Sequence, residues 1–103
     1  MADPMKIRAN LVGDTTEVKV LMNHEMETGQ RKDAQGKVIP AWFIETVTAT
    51  WNGKTVLSAQ WGPAVAKNPF VAFRFKGGAK GDKVQISWVD TRGDKRTDEV
   101  TIA

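Results

Sequence analysis

Ile44-Glu45-Thr46-Val47-Thr48-Ala49-Thr50-Trp51-Asn52-Gly53-Lys54-Thr55-Val56-Leu57-Ser58-Ala59-Gln60-Trp61 is the stretch that decides the fold. It is crowded with Thr, Val and Trp, residues that suit a pleated, half-buried surface. Asn52–Gly53 at its middle is a strong hairpin signal, because both residues accept the positive φ of a two-residue turn. The spacing predicts a strand over Trp42–Trp51 and a return strand over about Thr55–Trp61.

The same period of two extends in both directions. Met5, Ile7, Ala9 and Leu11 alternate with Lys6, Arg8 and Asn10, and Gly13–Asp14 is a turn signal. Val18, Val20 and Met22 then alternate with Glu17 and Lys19. Beyond the hairpin, Gly62–Pro63 ends the return strand, and Asn68–Pro69 opens a strand over Pro69–Lys76. The tract Gly77–Asp82 reads as a hairpin loop. Val84, Ile86 and Trp88 alternate with Lys83, Gln85 and Ser87. Asp90–Asp94 is a polar turn before a last strand over Lys95–Ile102. No window carries a capped 3.6-residue period. Seven short strands in 103 residues predict an all-β chain, an immunoglobulin-like β-sandwich of antiparallel strands forming one domain.

The hairpin poses a question about partners. With Trp51 opposite Lys54, one face holds Phe43, Val47, Ala49, Trp51 and Val56, and the other holds Trp42, Ile44, Leu57, Ala59 and Trp61. A small sandwich buries only one face of each sheet. Either a β-bulge re-registers the hairpin or another chain covers the second face. Phe70 and Phe73, on opposite sides of their strand, pose the same choice.

Composition removes whole classes of chemistry. The chain has no cysteine and one histidine, which excludes disulfides, thiolate metal sites, a cysteine nucleophile and multi-histidine metal clusters. Fifteen basic residues against twelve acidic give a net charge of +3. This mild excess suits an acidic partner better than nucleic acid, since no basic run exceeds two residues, as in Arg31–Lys32 and Lys95–Arg96. No segment approaches the ~20 apolar residues of a membrane span, and MADPMKIRANLV lacks the apolar stretch of a secretory signal. The expectation is a soluble chain that does not use the general secretory route by itself.

Individual motifs give little chemistry. Met22, His24 and Met26 alternate in a way that suits a soft metal such as Cu(I), but methionines more often fill cores and such a histidine is more often surface polar. Glu25 and Glu27 read as solvated loop charges. Gly77, Gly78 and Gly81 among Lys76, Lys80 and Lys83 lack the spacing and the following helix of a phosphate-binding loop. Phe70, Phe73 and Phe75 interleave with Arg74 and Lys76 as in a base-stacking platform, yet they equally fit a strand packed on its core. The long polar stretch Asn23–Pro40 stands out, because structureless loops of that length are uncommon in compact domains and are often functional. It reads as a connecting or a partner-contacting loop.

Several stretches together carry a family resemblance. They are Met22–Asp33 (MNHEMETGQRKD), Ile39–Ile44 (IPAWFI), Ala59–Pro63 (AQWGP), Lys67–Phe70 (KNPF), Phe73–Gly78 (FRFKGG) and Trp88–Asp90 (WVD). The chain closely resembles the SoxZ family, the non-thiol subunits of the SoxYZ sulfur-carrier complex of bacterial thiosulfate oxidation. A departure lies at Glu25, where the family pattern usually has proline. The resemblance implies an immunoglobulin-like sandwich paired with SoxY, whose C-terminal cysteine carries sulfur intermediates to the SoxAX, SoxB and SoxCD enzymes. It implies a non-enzymatic chain with no catalytic residue, cofactor, metal, nucleic acid or membrane partner. It also implies a periplasmic location, reached by export in complex with a signal-bearing SoxY-like partner.

Interface positions come from pattern alone. Trp42, Trp51, Trp61 and Phe70 are candidate partner contacts, with Arg31, Lys32 and Arg74 as rim charges. Two other classes remain. One is a generic binding module for a peptide or small ligand. The other is a metal-dependent enzyme, since the iron domain of superoxide reductase is a similar sandwich, although its chemistry needs several histidines and a cysteine.

Overall fold

The computed structural model describes residues 4–62, 65 and 67–103. Pro63 of the Gly62–Pro63 stop therefore lies outside the described residues. Seven strands follow one another: β1 (Lys6–Val12), β2 (Thr15–Leu21), β3 (Ile44–Trp51), β4 (Lys54–Gln60), β5 (Phe70–Lys76), β6 (Lys83–Asp90) and β7 (Lys95–Thr101). They form two antiparallel sheets, ordered β1-β2-β5 and β4-β3-β6-β7. The immunoglobulin-like sandwich read from the alternation is the architecture. Val18, Val20, Ile44, Val47, Ala49, Val84, Ile86 and Trp88 are buried between the sheets.

The β3–β4 hairpin turns at Asn52 (φ 49°) and Gly53 (φ 80°), with Trp51 opposite Lys54. Two bulges settle its double apolar pattern. Ala49 pairs with Leu57 while Thr50 pairs with Thr55, so Val56 is an extra residue in β4. Ile44 pairs with Asp90 while Thr46 pairs with Val89, so Glu45 is extra in β3. Each inserted residue reverses the parity of what lies beyond it. Ile44, Leu57, Ala59 and Trp61 therefore join Val47 and Ala49 on the core, correcting the face assignment made from strict alternation.

The glycine tract after β5 is not a hairpin loop, because β5 and β6 lie in different sheets. It crosses between them. Gly77 accepts a hydrogen bond from the Thr16 hydroxyl (2.8 Å), and a side chain at Gly78 (φ 96°) would collide with Thr16. Positive φ and a close approach both demand glycine there.

The stretch 23–43 is folded back on itself as a finger. Glu27 and Trp42 exchange backbone hydrogen bonds (2.6 and 3.0 Å), Ile39 N–H donates to the Arg31 carbonyl (2.7 Å), and Lys32 bridges Val38. At the tip, the Asp33 carboxylate accepts the Gln35 and Lys37 amides. The self-pairing supplies the backbone bonds that an irregular loop would have to take from water.

Candidate partner interface

Three strands face four, and this mismatch shapes the molecule. On one side, β1 meets the end of β7: Leu11 N–H donates to the Ala103 carbonyl (3.0 Å), and Ala103 N–H donates to Ala9 (2.9 Å). The Met5 amide donates to Asp98 Oδ2 (2.9 Å), a carboxylate also gripped by Arg96. With β1 set on β7, the Trp51–Phe75 ring contact (centroids 5.3 Å) places β5 opposite β3. Among the described residues, the outermost strand β4 is then left without a strand facing it.

Burial follows that geometry. Every inward side chain of β2 is fully buried, as are Val84, Ile86 and Trp88 of β6. By contrast, Leu57 and Ala59 of β4, Trp61 just beyond it, and Val71 and Phe73 of β5 pack on the core but are only half-buried. They form an apolar shelf along the open side. Beside it, the outward face of β1-β2-β5 carries rows Lys6–Leu21–Phe70, Arg8–Lys19–Ala72 and Asn10–Glu17–Arg74. Phe70 and Leu21 are 61% and 40% exposed, and they border a shallow pocket of about 470 Å³ lined also by Lys6, Arg8 and Lys19.

One end of the sandwich holds a buried polar cluster. Asp90, the last residue of β6, is 2% exposed. Its Oδ2 accepts the His24 Nε2–H (3.0 Å) and the Trp42 indole N–H (2.7 Å), and its Oδ1 accepts the Arg92 and Asp94 amides (both 2.9 Å). His24 Nδ1 accepts the Met26 amide (3.1 Å), which places the ring proton on Nε2. Burial pushes the Asp90 carboxyl upward, but the hydrogen bonds from His24, Trp42, Asp94 and Arg92 outweigh it and hold the group below the usual carboxylate range. His24 also packs against Trp42 and Trp88 (4.8 and 5.2 Å between centroids), and Arg92 lies over the Trp42 ring (4.2 Å). The cluster ties the base of the finger to the four-stranded sheet.

The sequence-predicted residues are spread over several regions. Phe70 and Arg74 share the outward face of β5, where Arg74 pairs with Glu17 (3.1 Å). Trp61 stands on the shelf. Trp42 and Trp51 serve opposite ends, donating their indole N–H groups to Asp90 (2.7 Å) and Asp82 (2.9 Å). Arg31 and Lys32 are on the finger, with Arg31 closing on Glu27 (2.6 Å). Two expectations are corrected. His24 is buried, not surface polar, because Asp90 and the Met26 amide satisfy both ring nitrogens. Glu27 is 9% exposed rather than a solvated charge, and its pairing with Arg31 holds its carboxyl below the ordinary range.

Lys6, Arg8, Lys19 and Leu21 were missed as candidate contacts, although their alternation with the core residues was a usable signal. Among the described residues, no three of His, Cys, Asp and Glu gather as a metal-binding group.

The family model for the sulphur oxidation protein SoxZ matches residues 5–101. No curated protein matches the chain at a significant level. Among solved structures, oxidized superoxide reductase is 16% identical, with a TM-score of 0.65 over 99% of this chain and 89% of that one. A hypothetical protein from Pyrococcus horikoshii is 18% identical, with a TM-score of 0.64 over the same shares. Superoxide reductase (neelaredoxin) from Ignicoccus hospitalis is 14% identical, with a TM-score of 0.57 over 99% of this chain and 82% of that one. At these identities the likeness is one of fold.

Proposed function

The chain belongs to the SoxZ family of sulphur oxidation proteins, and from that premise we propose that it is the non-catalytic, partner-holding half of a SoxYZ sulfur-carrier heterodimer. The family makes the chain a Sox-system subunit and implies a SoxY partner. The observation that carries the finer reading is the apolar shelf of Leu57, Ala59, Trp61, Val71 and Phe73, half-buried beside the β5 edge, whereas the half-buried Ile7, Leu11 and Val100 lie on the side where β1 is bonded to Ala103. Apolar area of this kind is stabilised by a second chain, at roughly 25 cal/mol per Å² removed from water.

The division of labour that the family resemblance implies agrees with the composition. The chain has no cysteine, which fits a thiol carrier placed on the partner. A second exposed thiol beside that carrier would compete for its cargo by exchange. In this reading SoxAX, SoxB and SoxCD meet the loaded heterodimer transiently. The heterodimer works in the periplasm, where this chain arrives folded on its exported partner.

Co-expression with a SoxY-like carrier subunit tests the proposal. A one-to-one complex by native mass spectrometry is expected, with sulfur adducts only on the partner. Thiosulfate turnover by this chain alone, or a chain that stays unpaired beside the carrier, would refute it. Fractionating cells with and without the partner tests location, and periplasmic recovery without the partner would count against joint export.

A further inference from the structure

The strand ladders show which backbone groups lack a mate. Met22 N–H donates to the Pro69 carbonyl (2.9 Å), and Gly77 N–H donates to the Asp14 carbonyl (2.6 Å). Hydrogen-bonded pairs alternate along an antiparallel ladder. Between these two bonds, Val71, Phe73 and Phe75 must therefore be the residues bonded to β2. Phe70, Ala72, Arg74 and Lys76 direct their N–H and C=O groups the other way.

Among the described residues, no strand lies on that side of β5. Two of the other edges are blunted. The third, β7, keeps unbroken register but is charged along its length by Lys95, Arg96, Asp98 and Glu99 and is tied to the start of β1 by the Met5–Asp98 bond. On β1, the matching outward groups of Ala9 and Leu11 are bonded to Ala103, and that of Met5 to Asp98. The β4 edge is interrupted by its bulge at Val56. The β5 ladder runs in unbroken register over seven residues, with no bulge and no proline within it. Bulges, prolines and short lengths are the usual means of blunting an edge, and β5 lacks them.

Resting on the heterodimer reading above, we infer that the partner inserts an extended strand along β5. It becomes the fourth strand of the β1-β2-β5 sheet. One inserted strand answers two features together. It bonds the outward row of Phe70, Ala72, Arg74 and Lys76. It also lies opposite β4, where its inward side chains cover Leu57, Ala59 and Trp61. Its inward positions are therefore apolar, as alternate residues of a half-buried strand are.

Charge decides the occupant. The outward side chains at and next to this edge are Arg74, Lys76 and Lys19, countered by Glu17. A second copy pairing antiparallel through its own β5 would set Arg74 diagonally beside its symmetry mate and double the local positive charge, an arrangement that like-charge neighbours oppose. The inserted strand instead carries carboxylates at its outward positions beside Arg74 and Lys76. Strand addition takes its affinity from the main chain and its selectivity from alternate side chains.

Amide hydrogen exchange on the chain alone and with the co-expressed SoxY-like subunit tests the inference. Phe70, Ala72, Arg74 and Lys76 should exchange fast alone and slow by roughly a hundredfold in the complex, because an edge amide opens locally while a paired one waits for dissociation. Ala72→Pro removes an outward N–H that the isolated sheet does not use, so the chain should keep its fold while pairing weakens by roughly a hundredfold. A complex in which those four amides still exchange freely overturns strand insertion and leaves the heterodimer standing. Protection of the same amides in the isolated chain, rising with its concentration, overturns the assigned occupant in favour of a second copy. Failure of the subunits to associate at all defeats the heterodimer reading, and the inference with it.

Discussion

The two long sides of this sandwich are built from the same kind of strand and end differently. Along β1 and β7, the backbone of Ala103 bonds to Ala9 and Leu11, Asp98 caps the Met5 amide, and Ile102 is 1% exposed. Core-facing side chains are half-buried on both sides, Ile7, Leu11 and Val100 on the first and Leu57, Ala59, Val71 and Phe73 on the second, but along β5 a full row of main-chain groups points outward. The difference lies in strand count more than in composition. A three-stranded sheet aligned on a four-stranded one at β1/β7 must leave its mate uncovered at the other side. An unfilled place in a sheet is thus a physical specification of a partner: extended, apolar inward and acidic outward.

Substitutions can break the contrast. Ile86→Ala, at a fully buried site in β6, should lower the stability of the isolated chain by ~2–5 kcal/mol, read by urea unfolding. Trp61→Ala on the open side should act chiefly on pairing, losing ~2 kcal/mol, or roughly thirtyfold in Kd by calorimetry. A Trp61→Ala chain that unfolds alone while pairing is unchanged would put Trp61 with the core and erase the distinction.

Acid should act on the sealed side. The Arg96 hydrogen bond holds the Asp98 carboxyl below its ordinary range, against burial and with help from the Met5 amide. The stabilisation is therefore complete above the unfolded value of about 3.9 and is lost as pH falls through the lower folded value. Asp98→Asn should remove about 1 kcal/mol at neutral pH and flatten that part of the acid limb. An acid limb identical in the two proteins would deny Asp98 this role. The smallest effect is expected from Arg74→Glu in the isolated chain, under ~0.5 kcal/mol by thermal unfolding, because the Arg74 end of its pair with Glu17 is exposed. A larger loss would show that the open edge supports the monomer.

Much of the fold was legible in the alternation of Met5–Leu11, Val18–Met22 and Val84–Trp88, and in the Asn52–Gly53 turn. A bulge was legible as one of two readings of the doubly apolar hairpin, but its places at Glu45 and Val56 were not, since one inserted residue leaves local composition unchanged while reversing every later side chain. The Gly77–Gly78 crossing looked like a hairpin because glycine signals a turn without saying which sheet comes next. The His24–Asp90 bond joins residues 66 apart, and neither neighbourhood hints at the other. The large aromatics drew attention as interface candidates, yet Trp42 and Trp51 each hold an internal carboxylate, whereas the free row on β5 is main chain. Backbone donors and acceptors look alike in every sequence, and only the ladder register shows which ones are unmatched.

The unpaired edge of β5 also bears on gene dosage. A subunit made in excess of its mate would present that ladder to other orphans, the geometry from which intermolecular aggregates grow. Under the proposed pairing, copies made in surplus over the companion should appear as insoluble or proteolysed material.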